Sequence, residues 1–212
     1  MLFDDRIKAY FENKTVLVTG HTGFKGSWLC LSLIELGAQV TGLALEARNP
    51  QNLFNACRLE DKIDHHIIDI RDQDNLELLV HKIQPDIIFH LAAQALVIDS
   101  YQDPYSTLST NVTGTLNLFE ATRKLNKSVT LVNITTDKCY LNNNTGEDFK
   151  ENDPLGGKDI YSASKAMVEI MHSAYRESFF KDTNIKAATV RAGNVIGGGD
   201  WSKNRLVPDF IR

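Results

Sequence analysis

The stretch TVLVTGHTGFKGSWLCLSLIELG, residues 15–37, decides the fold. It opens on a β-branched apolar run at 15–19 and closes on an almost wholly apolar segment at 27–36. Three glycines separate the two: Gly20, Gly23 and Gly26. Glycines between a strand and a helix let backbone N–H groups approach a pyrophosphate at the helix N-terminus. This context predicts a dinucleotide-binding loop rather than a simple structural turn.

Further short runs rich in β-branched residues follow along the chain and predict strands. They lie at 39–45, 66–70, 86–92, 129–135 and 186–192. Longer segments with helical periodicity separate them, among them 104–125 and 160–180. Because strands and helices alternate, we predict an α/β fold with a doubly wound parallel sheet, the Rossmann fold.

Composition excludes several function classes. The 212 residues include 23 Lys and Arg against 27 Asp and Glu, so the formal charge is −4 and a nucleic-acid partner is not expected. Three widely spaced cysteines, Cys30, Cys57 and Cys139, match neither a disulfide framework nor a metal site. No apolar stretch approaches the ~20 residues that span a bilayer. We therefore predict a cytoplasmic protein without a membrane partner.

The adenosine end of the predicted cofactor site is less well marked. Glu46 lies at the distance expected for the acidic ribose ligand, but Ala44 is the expected strand tip, which leaves that contact open. Arg48 is either a 2′-phosphate ligand or a solvated loop residue. Asp69 is expected to meet the adenine edge, with capping of a helix that begins near Asp72 as the alternative. His21 either touches the cofactor or fills space.

Two groups of residues could carry chemistry. Tyr161 and Lys165 are four residues apart in a helical segment and therefore share one face. A nearby ammonium is expected to lower the pKa of the phenol from its reference value near ~10. Thr136, Asp137 and Lys138 follow the fifth predicted strand, where open parallel sheets bind ligands. They offer a hydroxyl donor and an acid–base pair; a surface turn is the alternative. Asn111 is either a buried residue that fixes the site or a surface asparagine.

Five segments carry a resemblance that covers nearly the whole chain. They are TGHTGFKGSWL (19–29), HLAAQ (90–94), TTDKCY (135–140), YSASK (161–165) and RAGNVIGGGDW (191–201). With these motifs the chain is identified as a member of the extended short-chain dehydrogenase/reductase family. Lys138 stands where dTDP-glucose dehydratases carry glutamate. This residue and the motif sequences at 19–29 and 191–201 make the chain most similar to the family's dehydratases that act on CDP-glucose.

The resemblance implies a lyase, a sugar-nucleotide 4,6-dehydratase that converts CDP-glucose to CDP-4-keto-6-deoxyglucose and water. NAD would serve as a catalytic hydride carrier, and the product would enter deoxysugar and lipopolysaccharide biosynthesis. In this scheme Tyr161 accepts the C4 hydroxyl proton with help from Thr136, and Lys165 also holds the nicotinamide ribose. Lys138 removes the C5 proton and Asp137 protonates the departing C6 hydroxyl. Lys138 must then be neutral, so we expect a coupled pair with its proton mainly on Asp137 in the productive complex.

The resemblance also implies the binding residues and the organisation of the chain. Residues 1–192 would form the NAD-binding domain and 193–212 the start of a truncated substrate lobe, and a homodimer would form through helices 104–125 and 160–180. Gln94 would contact the nucleotide-sugar substrate. Asn194 would lie near its diphosphate. The expected cofactor contacts are Gly20, Thr22, Gly23, Phe24, Lys25, Gly26, Asp69, Ile70, Leu91, Ala92, Ala93, Tyr161 and Lys165.

Two other functions stay open at this point. A sugar-nucleotide 4-epimerase shares the Tyr161 and Lys165 pair and the transient 4-ketone, but it needs no acid–base couple at 137 and 138. A catalytically inactive NAD-binding module is the other alternative, because family members continue beyond residue 212 into the lobe that holds the substrate nucleotide.

Ala44, where relatives carry an acidic residue, suggests looser NAD binding than in those relatives.

Overall fold

The computed structural model describes residues 4–47, 49–144 and 146–211. Within these ranges six strands form one sheet in the order β3-β2-β1-β4-β5-β6, with every neighbouring pair parallel. The strands are β1 (Thr15–Thr19), β2 (Gln39–Ala44), β3 (Asp64–Ile67), β4 (Ile87–His90), β5 (Val129–Ile134) and β6 (Ile185–Val190). Because the strand order reverses between β1 and β4, a crevice opens at their carboxyl ends. The doubly wound parallel sheet is confirmed.

Helices connect the strands and cover the sheet. They are α1 (Asp5–Phe11), α2 (Phe24–Glu35), α3 (Leu53–Ala56), α4 (Gln73–Ile83), α5 (Val97–Gln102), α6 (Pro104–Leu108), α7 (Gly114–Arg123), α8 (Ile160–Tyr175) and α9 (Leu206–Ile211). In the described part of the chain, no helix combines the length and apolarity that crossing a bilayer requires.

The core lies on both faces of the central strands. Leu17 of β1 faces one apolar cluster, which includes Leu118 of α7, whereas its neighbours Val16 and Val18 face the other, which includes Leu33 of α2. Side chains alternate between the faces of a strand, so a continuous apolar run is expected only where both faces are covered. The apolar strand ahead of the glycine loop is therefore the buried centre of the sheet.

The third strand differs from its prediction. β3 covers Asp64–Ile67 rather than 66–70, because it pairs only with β2 and its last register partner is Ala44 opposite Ile67. It is an edge strand whose residues are partly or largely exposed, so its polar first half carries no apolar signal. Asp69 therefore follows the strand by two residues instead of ending it.

Several predicted helix bounds also need correction. α2 begins at Phe24, directly after Gly23 as N-cap, rather than at residue 27, and Trp28 leaves one side of it exposed. The predicted helix 104–125 is interrupted by a π-helical turn at Ser109–Thr113 between α6 and α7. A second π-helical turn, Arg176–Phe180, extends α8 to the predicted end at residue 180. π-turns are common near functional sites, and the first of these contains the buried Asn111.

Candidate active site

A cavity of about 260 Å³ lies at the switch point of the sheet. Most of the residues expected to contact a cofactor share its wall. Tyr161 and Lys165 do not line it, whereas eleven of the thirteen do: Gly20, Thr22, Gly23, Phe24, Lys25, Gly26, Asp69, Ile70, Leu91, Ala92 and Ala93. Their binding role stays a prediction, but one cavity wall brings them together from the loop after β1, the start of α2 and the segments that follow β3 and β4. Arg205 and Ser202, from the far end of the chain, also line this cavity.

The glycine loop leaves room for a diphosphate against backbone. Gly20 has a φ of +76°, and a Cβ there would lie 2.7 Å from the backbone nitrogen of Ala92. A Cβ on Gly26 would collide with the Gly20 carbonyl oxygen, so loop and helix touch only because both residues lack side chains. Gly23 caps α2 without a side-chain hydrogen bond, which leaves the first N–H groups of a 12-residue helix available. This cradle fits the pyrophosphate of a dinucleotide.

The structure locates two of the three residues considered for the adenosine end of the cofactor, Asp69 and Glu46. Asp69 lines the cavity and accepts from Arg71, whose Nη2 lies 2.5 Å from Oδ2, and this contact lowers the pKa of the carboxyl. The helix cap is Asp72, which accepts from the Asn75 nitrogen, so Asp69 does not cap α4. Glu46 is exposed beyond the tip of β2. Arg48 lies outside the described residues.

His21 fills space behind the loop instead of lining the cavity. Its ring packs against Gly42, where a Cβ would clash, and its Nε2 lies 2.6 Å from Nδ1 of His65. Burial and the two neighbouring histidines lower the pKa of His21 to about 4. Among the described residues, no group of three or more His, Cys, Asp or Glu side chains could hold a metal ion.

Tyr161 and Lys165 are both buried on α8 and face the ends of the central strands. The Lys165 ammonium donates to the Ile134 carbonyl oxygen at 3.3 Å. Burial and the charge of Lys25 lower the pKa of Lys165 to about 8, while Glu169 opposes that fall. The expected lowering of the Tyr161 pKa is wrong for this structure: burial raises it, and a hydrogen bond with Thr136 and the charge of Arg205 only partly offset the burial.

The residues after β5 form a single turn of 3₁₀-helix, Asp137–Cys139. Because the strand ends at Ile134, Thr136, Asp137 and Lys138 are not forced to opposite faces of a sheet. The Thr136 hydroxyl lies 3.0 Å from Asp137 Oδ1, and the Lys138 Nζ lies 3.3 Å from the same oxygen. Tyr161 lies close enough to Thr136 for the two side chains to interact. Three of the five predicted catalytic side chains, Thr136, Asp137 and Lys138, are thus linked by direct hydrogen bonds.

A second cavity of about 200 Å³ adjoins these side chains. Thr136, Lys138, Tyr161 and the predicted substrate residue Asn194 line it. The Gln94 amide is engaged elsewhere, because its Nε2 donates to the Leu96 carbonyl and to Thr107 while its Oε1 accepts from the Leu96 nitrogen. A direct substrate contact by Gln94 therefore stays a prediction.

Sequence reasoning missed one basic residue that belongs to the site. Arg205 lines both cavities, as does Lys25. The Arg205 Nε is buried without a hydrogen-bond partner, and its nearest carboxylate oxygen, on Asp200, is 3.6 Å away. Two cations at the border of the cavities favour an anionic ligand such as a diphosphate. The only sequence signal was a basic residue near Pro208, and its distance of 44 residues from Tyr161 hid the contact.

Comparison with known proteins identifies the family to which the chain belongs. The family model described as GDP-mannose 4,6-dehydratase matches residues 17–198. The CDP-glucose 4,6-dehydratase of Salmonella typhimurium is 50% identical over 210 residues, which are 97% of this chain and 58% of that protein. The GDP-mannose 4,6-dehydratase of Vibrio cholerae serotype O1 is 32% identical over 181 residues, which are 79% of this chain and 47% of that protein. The chain thus spans about half the length of these curated relatives.

A solved structure has the same architecture. The UDP-glucose 4-epimerase of Thermus thermophilus, in complex with NAD, superimposes with a TM-score of 0.76 at 31% identity. The match covers 89% of this chain and 58% of the epimerase chain.

Proposed function

Because the chain belongs to the GDP-mannose 4,6-dehydratase family, within the extended short-chain dehydrogenases/reductases, we propose that its protein is a CDP-glucose 4,6-dehydratase. The reaction converts CDP-glucose to CDP-4-keto-6-deoxyglucose and water. One arrangement carries the proposal: Thr136, Lys138 and Tyr161 line one cavity, and Asp137 is hydrogen-bonded to both Thr136 and Lys138.

NAD is the cofactor that the glycine cradle fits. The loop at Gly20, Gly23 and Gly26 would hold its pyrophosphate, Asp69 its adenosine end, and Tyr161 with Lys165 its nicotinamide ribose. When bound, NAD supplies reversible hydride transfer, which links oxidation at C4 of the sugar to reduction at C6. Ala44 at the tip of β2 lacks a carboxylate for the ribose, so we expect weaker NAD binding than in relatives with an acidic residue there.

The first half of the reaction needs a base at the C4 hydroxyl. The Tyr161 phenolate takes that proton, and Thr136 holds the sugar oxygen and the phenol in one hydrogen-bonded group. Burial disfavours the phenolate and the charge of Arg205 only partly offsets it, so we propose that the Lys165 ammonium, four residues away on α8, also stabilises it in the complex. Once C4 is a ketone, the proton on C5 becomes acidic.

The second half removes water across C5 and C6. Lys138 takes the C5 proton, and Asp137 gives a proton to the C6 hydroxyl, which leaves as water. Lys138 acts as a base only when neutral, and an ionised carboxylate at 3.3 Å opposes that state. We therefore propose that the pair shares one proton in the productive complex, mainly on Asp137. Both side chains are half-exposed here, so a bound sugar would cover them and desolvate the amine.

The test uses the complete protein with CDP-glucose and NAD. A dehydratase forms a product that has lost one water and develops the 4-keto-6-deoxy chromophore in alkali. Lys138→Met should block elimination while it leaves oxidation at C4, seen as transfer of a C4 deuterium label from the sugar to the nicotinamide. Asp137→Asn should slow elimination by ~10²-fold or more, the usual contribution of general acid catalysis.

Three outcomes would argue against the proposal. Formation of CDP-galactose instead of a dehydrated sugar would identify a 4-epimerase, which has no use for the Asp137 and Lys138 pair. Elimination at the wild-type rate in Lys138→Met would show that Lys138 is not the base that removes the C5 proton. Faster turnover of GDP-mannose or dTDP-glucose than of CDP-glucose would assign a different substrate.

We also propose that two copies associate through residues 104–125 and 160–180. α6 packs beside α8, and side chains there leave apolar surface open to solvent. Tyr105 on α6 is 81% exposed, and Met167 and Ile170 on α8 are also exposed. Substituting Ile170 by Glu should convert a dimer to a monomer in sedimentation; an unchanged dimer would place the interface elsewhere.

The chain divides, in our proposal, into a cofactor domain at 1–192 and the beginning of a substrate lobe at 193–212. Asn194 and Arg205 support this division because they line the cleft beside Tyr161 from the second segment. We further propose a cytoplasmic location and a role in deoxysugar and lipopolysaccharide biosynthesis. The free cysteines Cys30, Cys57 and Cys139 support a reducing compartment, and a 4-keto-6-deoxy sugar is a suitable precursor for further deoxygenation.

A further inference from the structure

A buried carboxylate lies one helical turn beyond Lys165 on α8. Glu169 is only 5% exposed, although glutamate is among the residues least often buried. It is not among the residues that the proposed reaction uses for catalysis or binding. Its side chain is nevertheless the meeting point of α8, β5, β6 and the segment that follows β6.

Three side chains donate hydrogen bonds to this carboxylate. The Thr135 hydroxyl donates to Oε1, and the Thr189 hydroxyl donates to Oε2 at 3.0 Å. Arg191 Nη2 donates to Oε2 at 2.8 Å in a largely buried ion pair. Burial alone would raise the pKa of Glu169, but these three donors outweigh the burial and lower it. The side chain therefore carries a negative charge at neutral pH.

The same contacts fix the position of the catalytic turn. Thr135 directly precedes Thr136, so anchoring the Thr135 hydroxyl on α8 sets where the next three residues begin. Arg191 extends the network, since its Nη1 donates to the Glu151 carbonyl at 2.9 Å and its guanidinium lies 4.8 Å from the Tyr140 ring centroid. The loop between Tyr140 and Glu151 is thereby tied to the same carboxylate.

We propose that Glu169 is a positioning residue of the active site. Its carboxylate holds the Thr136–Lys138 turn against α8, and its charge keeps Lys165 in the ammonium form that supports the Tyr161 phenolate. The chemical importance of Lys165 rests on the proposed function, whereas the control of its protonation does not.

The charges around Lys165 explain why this carboxylate matters. Burial and the Lys25 ammonium both disfavour a charged Lys165, and Glu169 is the group that favours it. The other titratable neighbours are neutral at pH 7, because burial raises the pKa of Tyr161 and lowers that of His90 to about 3. Glu169 itself is faced by Arg191, Cys139 and His172. Removing its charge would leave Lys165 among cations alone.

The experiment separates charge from shape in the full-length protein. The midpoint of Lys165 is read from lysine ¹³Cε chemical shifts across pH, with Lys165→Arg to assign the signal. Glu169→Gln keeps the size and the acceptor oxygen but removes the charge, so the midpoint should fall by about one pH unit. The alkaline limb of kcat/KM should move down by the same amount.

Matched variants test whether the effect is specific. Glu169→Asp restores the charge and should return the midpoint towards the wild-type value. Thr189→Val removes one hydrogen bond without changing charge, and Glu177→Gln removes an exposed carboxylate beyond the end of α8. Neither should move the midpoint by more than about 0.2 pH unit. Should Glu169→Gln fail to fold, the double variant Glu169→Gln/Arg191→Met removes the ion pair as a unit and should still lower the midpoint.

An unchanged midpoint in Glu169→Gln, or an equal shift in Thr189→Val, would overturn the proposal and leave Glu169 as a structural ion pair only. A protein that forms no 4-keto-6-deoxy sugar would defeat the proposed function instead. In that case the ¹³C midpoint still decides the role of Glu169, because it does not depend on turnover.

Discussion

The Nε2 of His90 lies 2.8 Å from the Thr115 hydroxyl, and its Nδ1 lies 2.7 Å from the Thr19 hydroxyl. The Thr19 oxygen also accepts from the backbone nitrogens of Leu91 and Ala92. Its own proton is therefore free only for His90 Nδ1. The imidazole must then carry its proton on Nε2 and donate to Thr115.

The hydrogen-bond chain continues to α8, which carries Tyr161 and Lys165. Thr115 donates to the Asn111 carbonyl at 2.6 Å, and the Asn111 amide donates to the Ser164 hydroxyl at 2.8 Å. Ser164 in turn donates to the Tyr161 carbonyl at 2.6 Å. Asn111 is thus buried and hydrogen-bonded rather than a surface asparagine; that it fixes the site stays a prediction. Buried donors all directed along one chain connect the floor of the cofactor cavity to α8.

The first prediction concerns the tautomer of His90. ¹⁵N chemical shifts should show a neutral ring protonated on Nε2 from pH 5 to 9. His90→Phe leaves two buried hydroxyls without their partner, at roughly 1–3 kcal/mol each, and should lower the free energy of unfolding accordingly. Thr115→Ser keeps the donor and should lie within about 1 kcal/mol of wild type. A charged or Nδ1-protonated ring would contradict the donor order.

The buried histidines should also make the fold acid-sensitive. The folded-state pKa values are about 3 for His90 and about 4 for His21, below the ordinary value near ~6.5. Between those values the unfolded chain binds more protons, so stability rises with pH and is lost as pH falls from about 6.5. Denaturant titrations at pH 7 and 5 should show the loss, and His90→Phe should reduce it. A pH-independent midpoint would be contrary to this.

The glycine cradle can be tested at Gly26. Gly26→Ala places a methyl group on the Gly20 carbonyl, so the loop must move. If a strain of about 1–3 kcal/mol weakens NAD binding by that amount, the Kd for NAD rises roughly 10- to 100-fold. Gly198→Ala, where a Cβ meets open space, is the control and should bind NAD normally. Calorimetry with the complete protein measures the NAD affinity of both variants. Equal affinities would show that the glycine loop does not bind the cofactor.

Tyr161 should affect oxidation at C4 far more than cofactor affinity. Tyr161→Phe removes the base and should lower kcat by ~10²–10⁴-fold. The Kd for NAD should change far less, since most cavity-lining residues are intact. Tyr101→Phe alters an exposed phenol and serves as the control. A Tyr161→Phe variant with kcat within a factor of two of wild type would require another base.

Arg205 should act on substrate binding. Its guanidinium borders both cavities and its buried Nε has no hydrogen-bond partner, so Arg205→Gln would remove the proposed charge-assisted contact with a diphosphate. A loss of about 1.5–3 kcal/mol corresponds to a KM for CDP-glucose raised roughly 10- to 100-fold. Arg6→Gln changes an exposed arginine on α1 and should leave KM unchanged. Equal KM values for both variants would exclude Arg205 from the substrate site.

The sheet and the position of the cofactor crevice were predictable because they depend on local patterns. β1, the glycine loop and α2 are contiguous, and the apolar runs that predict β4 and β5 come from burial on both faces. β3 was misplaced because an edge strand with an open face has no such signal. The π-helical turn around Asn111 was likewise missed, since tertiary hydrogen bonds rather than helical periodicity place that side chain.

The sequence by itself determined which functional groups are present and how they are spaced. Tyr161 and Lys165 place a phenol and an amine four residues apart, and residues 136–138 place a hydroxyl, a carboxyl and an amine in succession. Only the tertiary structure decided how these groups are charged and what surrounds them. The pKa of Tyr161 is raised because burial outweighs its neighbours, and that of Lys165 falls because the side chain is buried and Lys25 lies near it. Arg205 lines both cavities, although it is distant from the other site residues along the chain. Desolvation and Coulomb interactions depend on distance in space, which spacing along a sequence does not encode.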